Sequence, residues 1–102
     1  MLQLHVWQVV LSVTAVQQLR KIRKRNRGLI KDGIREHLAE SDPSMSSGNN
    51  LRLRRASEYA EYELRLERWR VLYRVRGGVV EVVMIGEKRG NKLFIGGEEF
   101  VL

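Results

Sequence analysis

Apolar and polar residues alternate at the start of the chain, placing Leu2, Leu4, Val6, Gln8 and Val10 on one side and Gln3, His5, Trp7, Val9 and Leu11 on the other. Such a period of two predicts a strand over residues 4–11. Ser12 is a good helix N-cap, and from there the period changes. Val13, Val16, Leu19 and Ile22 recur at helical spacing, with Gln17, Gln18, Lys21 and Lys24 facing elsewhere. Asn26-Arg27-Gly28 predicts an interruption, because Asn and Gly tolerate left-handed backbone geometry. A second helix is expected through Ile30, Ile34 and Leu38. Two helices with so short a join form an antiparallel hairpin, and its apolar stripes need a sheet to cover them.

Residues 41–50 contain the one proline together with Ser, Asp, Gly and Asn, and they predict a mobile loop. The basic stretch Leu51-Arg52-Leu53-Arg54-Arg55 follows. Three apolar-alternating runs then carry Tyr62 to Leu66, Trp69 to Val75 and Val79 to Gly86. They are separated by Glu67-Arg68 and Gly77-Gly78, connections short enough for hairpins. This is an antiparallel meander, with Arg65, Arg70, Arg74 and Arg76 able to share one face. Leu93 and Ile95 suggest a last short strand, which Gly96-Gly97 turns so that Phe100 or Leu102 packs back. The fold class is therefore α+β: a twisted antiparallel β-sheet with an N-terminal strand and an α-helical hairpin on one face, in the order β-α-α-β-β-β.

A chain of 102 residues fits a single domain, spanning residues 1–102, too small to enclose a deep cofactor pocket. Charge changes the picture more. The formal net charge is +7, with eight Lys/Arg against four Asp/Glu in residues 1–50 and eleven against eight in residues 51–102. That balance suits nucleic acid, an acidic protein segment or an anionic surface as partner. The densest run, Arg20-Lys21-Ile22-Arg23-Lys24-Arg25-Asn26-Arg27, reads as the solvated face and end of a helix, or as a tract that follows a nucleic-acid backbone. The absence of cysteine excludes disulfide scaffolds, thiolate zinc sites and cysteine nucleophiles. Residues 4–11 are too short and too polar for a membrane span or a secretory signal, so a cytoplasmic protein without membrane attachment is expected.

The runs Tyr62-Glu63-Leu64-Arg65, Trp69-Arg70-Val71-Leu72-Tyr73 and Val82-Val83-Met84-Ile85-Gly86-Glu87-Lys88 resemble the central strands of the RelE/ParE superfamily of bacterial toxins. The ending from Gly86 to Phe100 is similar to a RelE-like branch, and the element order agrees over nearly the whole chain. The resemblance implies the toxin of a type II toxin-antitoxin module, bound by a cognate antitoxin. On the RelE-like side it implies an mRNA endonuclease acting in the ribosome without metal or other cofactor. There a ribose 2′-hydroxyl attacks the adjacent phosphodiester, which requires a base, cations on the phosphorane and an acid for the leaving oxygen. The alternative is a ParE-like toxin that inhibits DNA gyrase without cutting nucleic acid, or an inactive homologue that binds only its antitoxin.

Carried onto this chain, the resemblance makes Arg70 the cation on the transition state, with Arg65 and Lys88 beside it. Arg52, Arg54, Arg55, Arg74, Arg89 and Lys92 are the further cations expected along an RNA. Two positions depart from the ribonuclease pattern. Glu63 stands where that pattern tends to have lysine, and Phe94 where a tyrosine often stacks on a base. His5 and His37 both lie outside the C-terminal half. The local alternatives to Lys and Arg, whose unperturbed pKa values of about 10 or above suit them poorly as bases, are Glu63 and Glu87.

Overall fold

Ser12 shows how the chain is organised. Its side chain accepts a hydrogen bond from the Ala15 amide at 3.0 Å and so caps the first helix. The same hydroxyl donates to the Val83 carbonyl at 2.7 Å, and the Ser12 amide donates to the Val82 carbonyl at 2.9 Å. One residue thus ends a strand, starts a helix and fastens both to the middle of the sheet. The computed structural model in which these contacts are seen describes residues 6–45, 48–53 and 60–100. The expectations for Leu2, Leu4, His5, Arg54, Arg55 and Leu102 lie outside the described residues.

The described elements are β1 (Gln8–Leu11), α1 (Val13–Lys21), α2 (Lys24–Ile34) with a π-helical turn over Arg35–Ala39, then β2 (Asn50–Arg52), β3 (Tyr62–Leu66), β4 (Trp69–Arg76), β5 (Val79–Arg89), β6 (Lys92–Ile95) and β7 (Glu98–Phe100). They form one sheet in the order β2-β3-β4-β5-β6-β7, with β1 parallel to β5 and every other pairing antiparallel. β4 occupies one edge of β5, so β1 and β6 share the other: β1 along residues 79–82 and β6 along residues 87–89. The expected α+β architecture with a helical hairpin on one face is therefore present, enlarged by the edge strands β2 and β7.

The core lies between the helices and that face. Ala15, Leu19, Ile30, Ile34 and Leu38 meet Leu64, Leu66, Trp69, Val71, Tyr73, Val80, Val82 and Ile85. Gly33 lets α2 approach closely, since a Cβ there would lie 2.5 Å from the Leu66 methyl carbons. A bulge in β5 governs which residues point inward. Leu72 pairs with Met84 and Tyr73 with Val82, so Val83 is an extra residue and the inward positions change from Val80 and Val82 to Ile85 and Glu87. The bulged segment has neither β1 nor β6 beside it. The Ile85 amide instead donates to the Gln18 side chain at 2.7 Å.

Three local expectations are corrected. The helices separate at Ile22 and Arg23, both extended, and Asn26, Arg27 and Gly28 lie within α2. Breaking the hairpin earlier turns Ile30, Ile34 and Leu38 together onto the sheet. Val13 is 74% exposed, and Gln18 faces the sheet because the bulge offers it a free amide. Finally, the segment expected to be a mobile loop is anchored at both ends by Tyr73. The buried phenol donates to the Pro43 carbonyl at 2.6 Å and accepts from the Asn50 side-chain amide at 3.0 Å. Asn50, itself buried, opens β2.

Burial pushes the Tyr73 phenol up to about 12, with the Asn50 hydrogen bond opposing it and the charges of Tyr62 and Asp42 adding to it. A raised folded-state pKa stabilises the fold below the unfolded value near 10 and loses that contribution as pH climbs through about 12. Tyr73→Phe should cost about 1–3 kcal/mol near neutrality, because it takes the donor from the Pro43 carbonyl and leaves the Asn50 side-chain amide with one acceptor fewer, its bond to the His37 carbonyl remaining. In urea denaturation series the gap between wild type and variant should narrow over this alkaline interval.

Candidate functional site

The sheet face turned away from the helices collects most of the site residues expected from the sequence. Arg65 and Arg70 are direct cross-strand partners, and Gly86 lies opposite Arg70 on the next strand. The bulge places Lys88 on this face too. Glu63, Arg70, Lys88, Asn91, Lys92 and Phe100 help line a cleft of about 290 Å³. Gly86 lets β6 come close to β5: a Cβ there would lie 2.8 Å from the Phe94 carbonyl oxygen.

Most of the charge on this face is neutralised internally. Arg65 Nε lies 2.7 Å from Glu63 Oε1, and Arg70 Nε lies 3.9 Å from the same oxygen. Arg70 is only 11% exposed. Its Nη1 donates to the carbonyls of Glu67 at 2.6 Å and Trp69 at 2.8 Å, bracing the hairpin in which Glu67 has a left-handed φ of 56°. Its buried Nε has no hydrogen-bond partner among the described residues. Burial lowers the Arg70 pKa, opposed by Glu63 and reinforced by Arg65. Farther along, Arg74 pairs with Glu81 at 2.5 Å and Arg76 with Glu61 at 2.8 Å. Burial tends to raise the Glu61 carboxyl, but the Arg76 and Val75 hydrogen bonds and the Arg76 and Arg52 charges outweigh it, so its pKa falls.

The structure does not bring every expected residue here. Phe94 pairs with Glu87 on the helix-bearing side, separated by the sheet from Arg65, Arg70 and Lys88. Arg89 lies there as well, its guanidinium 4.9 Å from the centre of the Phe94 ring. Arg52 sits on edge strand β2, over Tyr62 at 5.8 Å.

Sequence reasoning missed what these displaced residues build. A cleft of about 520 Å³ opens between the helical elbow and the end of the sheet. Lys21, Ile22 and Arg23 line it on the helical side, with Trp69, Ile85 and Phe94 opposite. Glu87 takes Arg68 at 2.8 Å and Arg89 at 2.7 Å on its rim. The elbow cations are different in kind from the strand arginines. Among the described residues, Arg20, Lys21, Arg23, Lys24, Arg25 and Arg27 have no carboxylate in ion-pair range. Arg20 and Lys21 close α1, but Arg23, Lys24, Arg25 and Arg27 crowd the start of α2, which has no acidic residue in its first turn and no side-chain cap from Arg23. Positive charge at a helix N-terminus opposes the macrodipole. The run was visible in the sequence, but its position beside an apolar cleft was not.

The Glu63 arrangement can be tested by its energetics. Glu63→Gln should destabilise the fold by about 1–2 kcal/mol, because it leaves the half-buried Arg70 charge without its counter-ion. Arg65→Ala should cost less than about 1 kcal/mol, since Arg65 is solvated. Equal costs in denaturant titrations would contradict this account.

Comparison with known proteins agrees with this architecture. The model of the ParE toxin of type II toxin-antitoxin systems matches residues 9–91. The fold is similar to a crystal structure of the toxin-antitoxin complex RelBE2 from Mycobacterium tuberculosis. There the TM-score is 0.68 at 18% identity, covering 84% of this chain and 95% of the other. No curated protein matches the chain. With the family model covering β1 through the turn after β5, the chain belongs to the ParE toxin family of type II toxin-antitoxin systems, within the RelE/ParE superfamily.

Proposed function

We propose that this toxin is held by a cognate antitoxin and acts on its target by non-covalent contact, with DNA gyrase as that target. The observation that carries the choice is the state of Glu63. A ribonuclease site on the open face needs a general base within reach of a ribose hydroxyl. Glu63 is the carboxylate nearest Arg70, and its Oε1 already engages Arg65 at 2.7 Å. Phe94 is on the opposite face, and the Tyr73 hydroxyl is fixed in the core between Pro43 and Asn50. The family match supports a toxin held by an antitoxin, and the choice of target rests on the geometry.

A ribosome-dependent endonuclease is the second reading, favoured by the buried Nε of Arg70, which has no hydrogen-bond partner among the described residues, in a cleft that also holds Lys88. Such a donor suits a phosphate oxygen. Two assays separate the readings. In a gyrase supercoiling reaction the purified protein should inhibit, and added antitoxin should restore activity. In a purified translation system, primer extension should show intact message. Ribosomal A-site cuts that vanish in Arg70→Ala, with gyrase unaffected, would reverse the assignment.

A further inference from the structure

Among the described residues β1 pairs only with β5, so its outer edge has no strand beside it. The Ser12 amide donates to the Val82 carbonyl. In a parallel ladder of this register the backbone groups of Gln8 and Val10 therefore also face β5, and those of Trp7, Val9 and Leu11 face away. The Ala39 carbonyl takes the outward Trp7 amide at 2.7 Å. For Val9 and Leu11 the described residues offer no such acceptor. We propose that this edge pairs antiparallel with the same edge of a second copy, giving a two-fold dimer whose sheet runs on through β1.

Charge selects this occupant. Residues 1–19 contain no Lys, Arg, Asp or Glu, although the chain carries a net charge of +7. A second copy brings the same excess, so a surface that meets itself about a two-fold axis has to be free of it. The other edge strands are not: β2 carries Arg52, and β7 carries Glu98 and Glu99, charges of the kind that keep sheet edges apart. β1 has neither a charge nor a proline. Its side chains on the open face include Val6, 63% exposed, and Val10, 41% exposed, with Val13 just beyond the strand. Among the described residues Met45 is the one other large apolar side chain so exposed.

The backbone groups that remain set the register. A two-fold axis at Val10 brings Val9 opposite Leu11 of the partner subunit, each pair exchanging both N–H···O bonds. Val10 then faces its own copy in the non-hydrogen-bonded position, where Cα atoms lie about 4.5 Å apart. An axis at Val9 would call on Trp7, whose amide Ala39 already holds, and an axis at Leu11 would call on Val13, which is helical.

The test uses the purified full chain. In sedimentation equilibrium its average mass should rise with concentration from 11.9 kDa toward twice that value. Val10→Lys sets like charges directly opposite each other and should weaken association about tenfold or more. Its melting temperature at high dilution should match that of wild type, because Val10 is exposed in the single chain. The chain has no cysteine, so Val10→Cys is a clean reporter. Mild oxidation should link it into a dimer, since the expected Cα spacing falls within the disulfide range. Met45→Cys should stay single. A constant mass of one chain, undiminished association of Val10→Lys, or equal cross-linking of Met45→Cys would each overturn the proposal. So would protection of the Val9 and Leu11 amides from hydrogen exchange only when antitoxin is added, which would give the edge to that partner. None of these measurements contains gyrase or ribosome, so their failure is separate from a failure of the functional reading above.

Discussion

The bulge at Val83, and the two side chains of one helical segment that secure it, set the arrangement of the helices and of both clefts. β5 is the strand on which β4, β1 and β6 all pair, yet between its β1 and β6 segments its edge carries backbone groups with no strand beside them. Ser12 donates to the Val83 carbonyl and Gln18 accepts from the Ile85 amide. Buried backbone groups left unpaired cost as much as lost hydrogen bonds, so these contacts fix where α1 lies along the sheet. The extra residue also reverses the alternation. Ile85 enters the core, Glu87 joins the helix-facing side, and Lys88 emerges beside Arg70. A regular β5 would exchange the members of both clefts.

The second organising fact is the unequal treatment of positive charge. On the strands, cross-strand and neighbouring carboxylates serve as counter-ions for Arg65, Arg68, Arg74, Arg76 and Arg89. Exposed pairs of this kind add little stability, about 0–1 kcal/mol each, but they remove the field that a row of guanidiniums would otherwise project. At the elbow Arg23, Lys24, Arg25 and Arg27 stand against a helix N-terminus without such partners among the described residues. Local rules are commonly broken where a surface serves binding rather than folding. The charge that dominates the composition thus acts most strongly on the side of the molecule away from the arginine face.

Arg70 belongs to both descriptions. Its guanidinium secures the carbonyls of a hairpin whose first turn residue is left-handed, and its Nε has no hydrogen-bond partner among the described residues beside a shared carboxylate. A residue fixed by the turn it braces is rigid, which suits a recognition surface. Proton transfer additionally requires a group that exchanges protons near neutral pH, and an arginine does not supply it.

The sequence by itself determined the fold class, the superfamily and the position of most elements. The two-residue connections at Glu67-Arg68 and Gly77-Gly78 placed β3, β4 and the start of β5 within a residue, although β5 runs on past Gly86 to Arg89, and the spacing of Ile30, Ile34 and Leu38 identified the buried stripe of α2. Those signals are local, because hairpin geometry and helical period depend on residues near in sequence. Arg65, Arg70, Glu63 and Lys88 could be named from their strands, but the placement of Phe94 opposite them could not. Nor did the sequence show the bulge, the capture of Pro43 and Asn50 by Tyr73, the exposure of Val13, or the union of Lys21, Ile22, Arg23 and Asn26 with Trp69 and Phe94. Tertiary structure decided these, because each depends on pairing or unpaired groups contributed by segments distant in the chain. One extra residue in a strand leaves almost no local trace in the sequence, yet it moves every later side chain to the other face of the sheet.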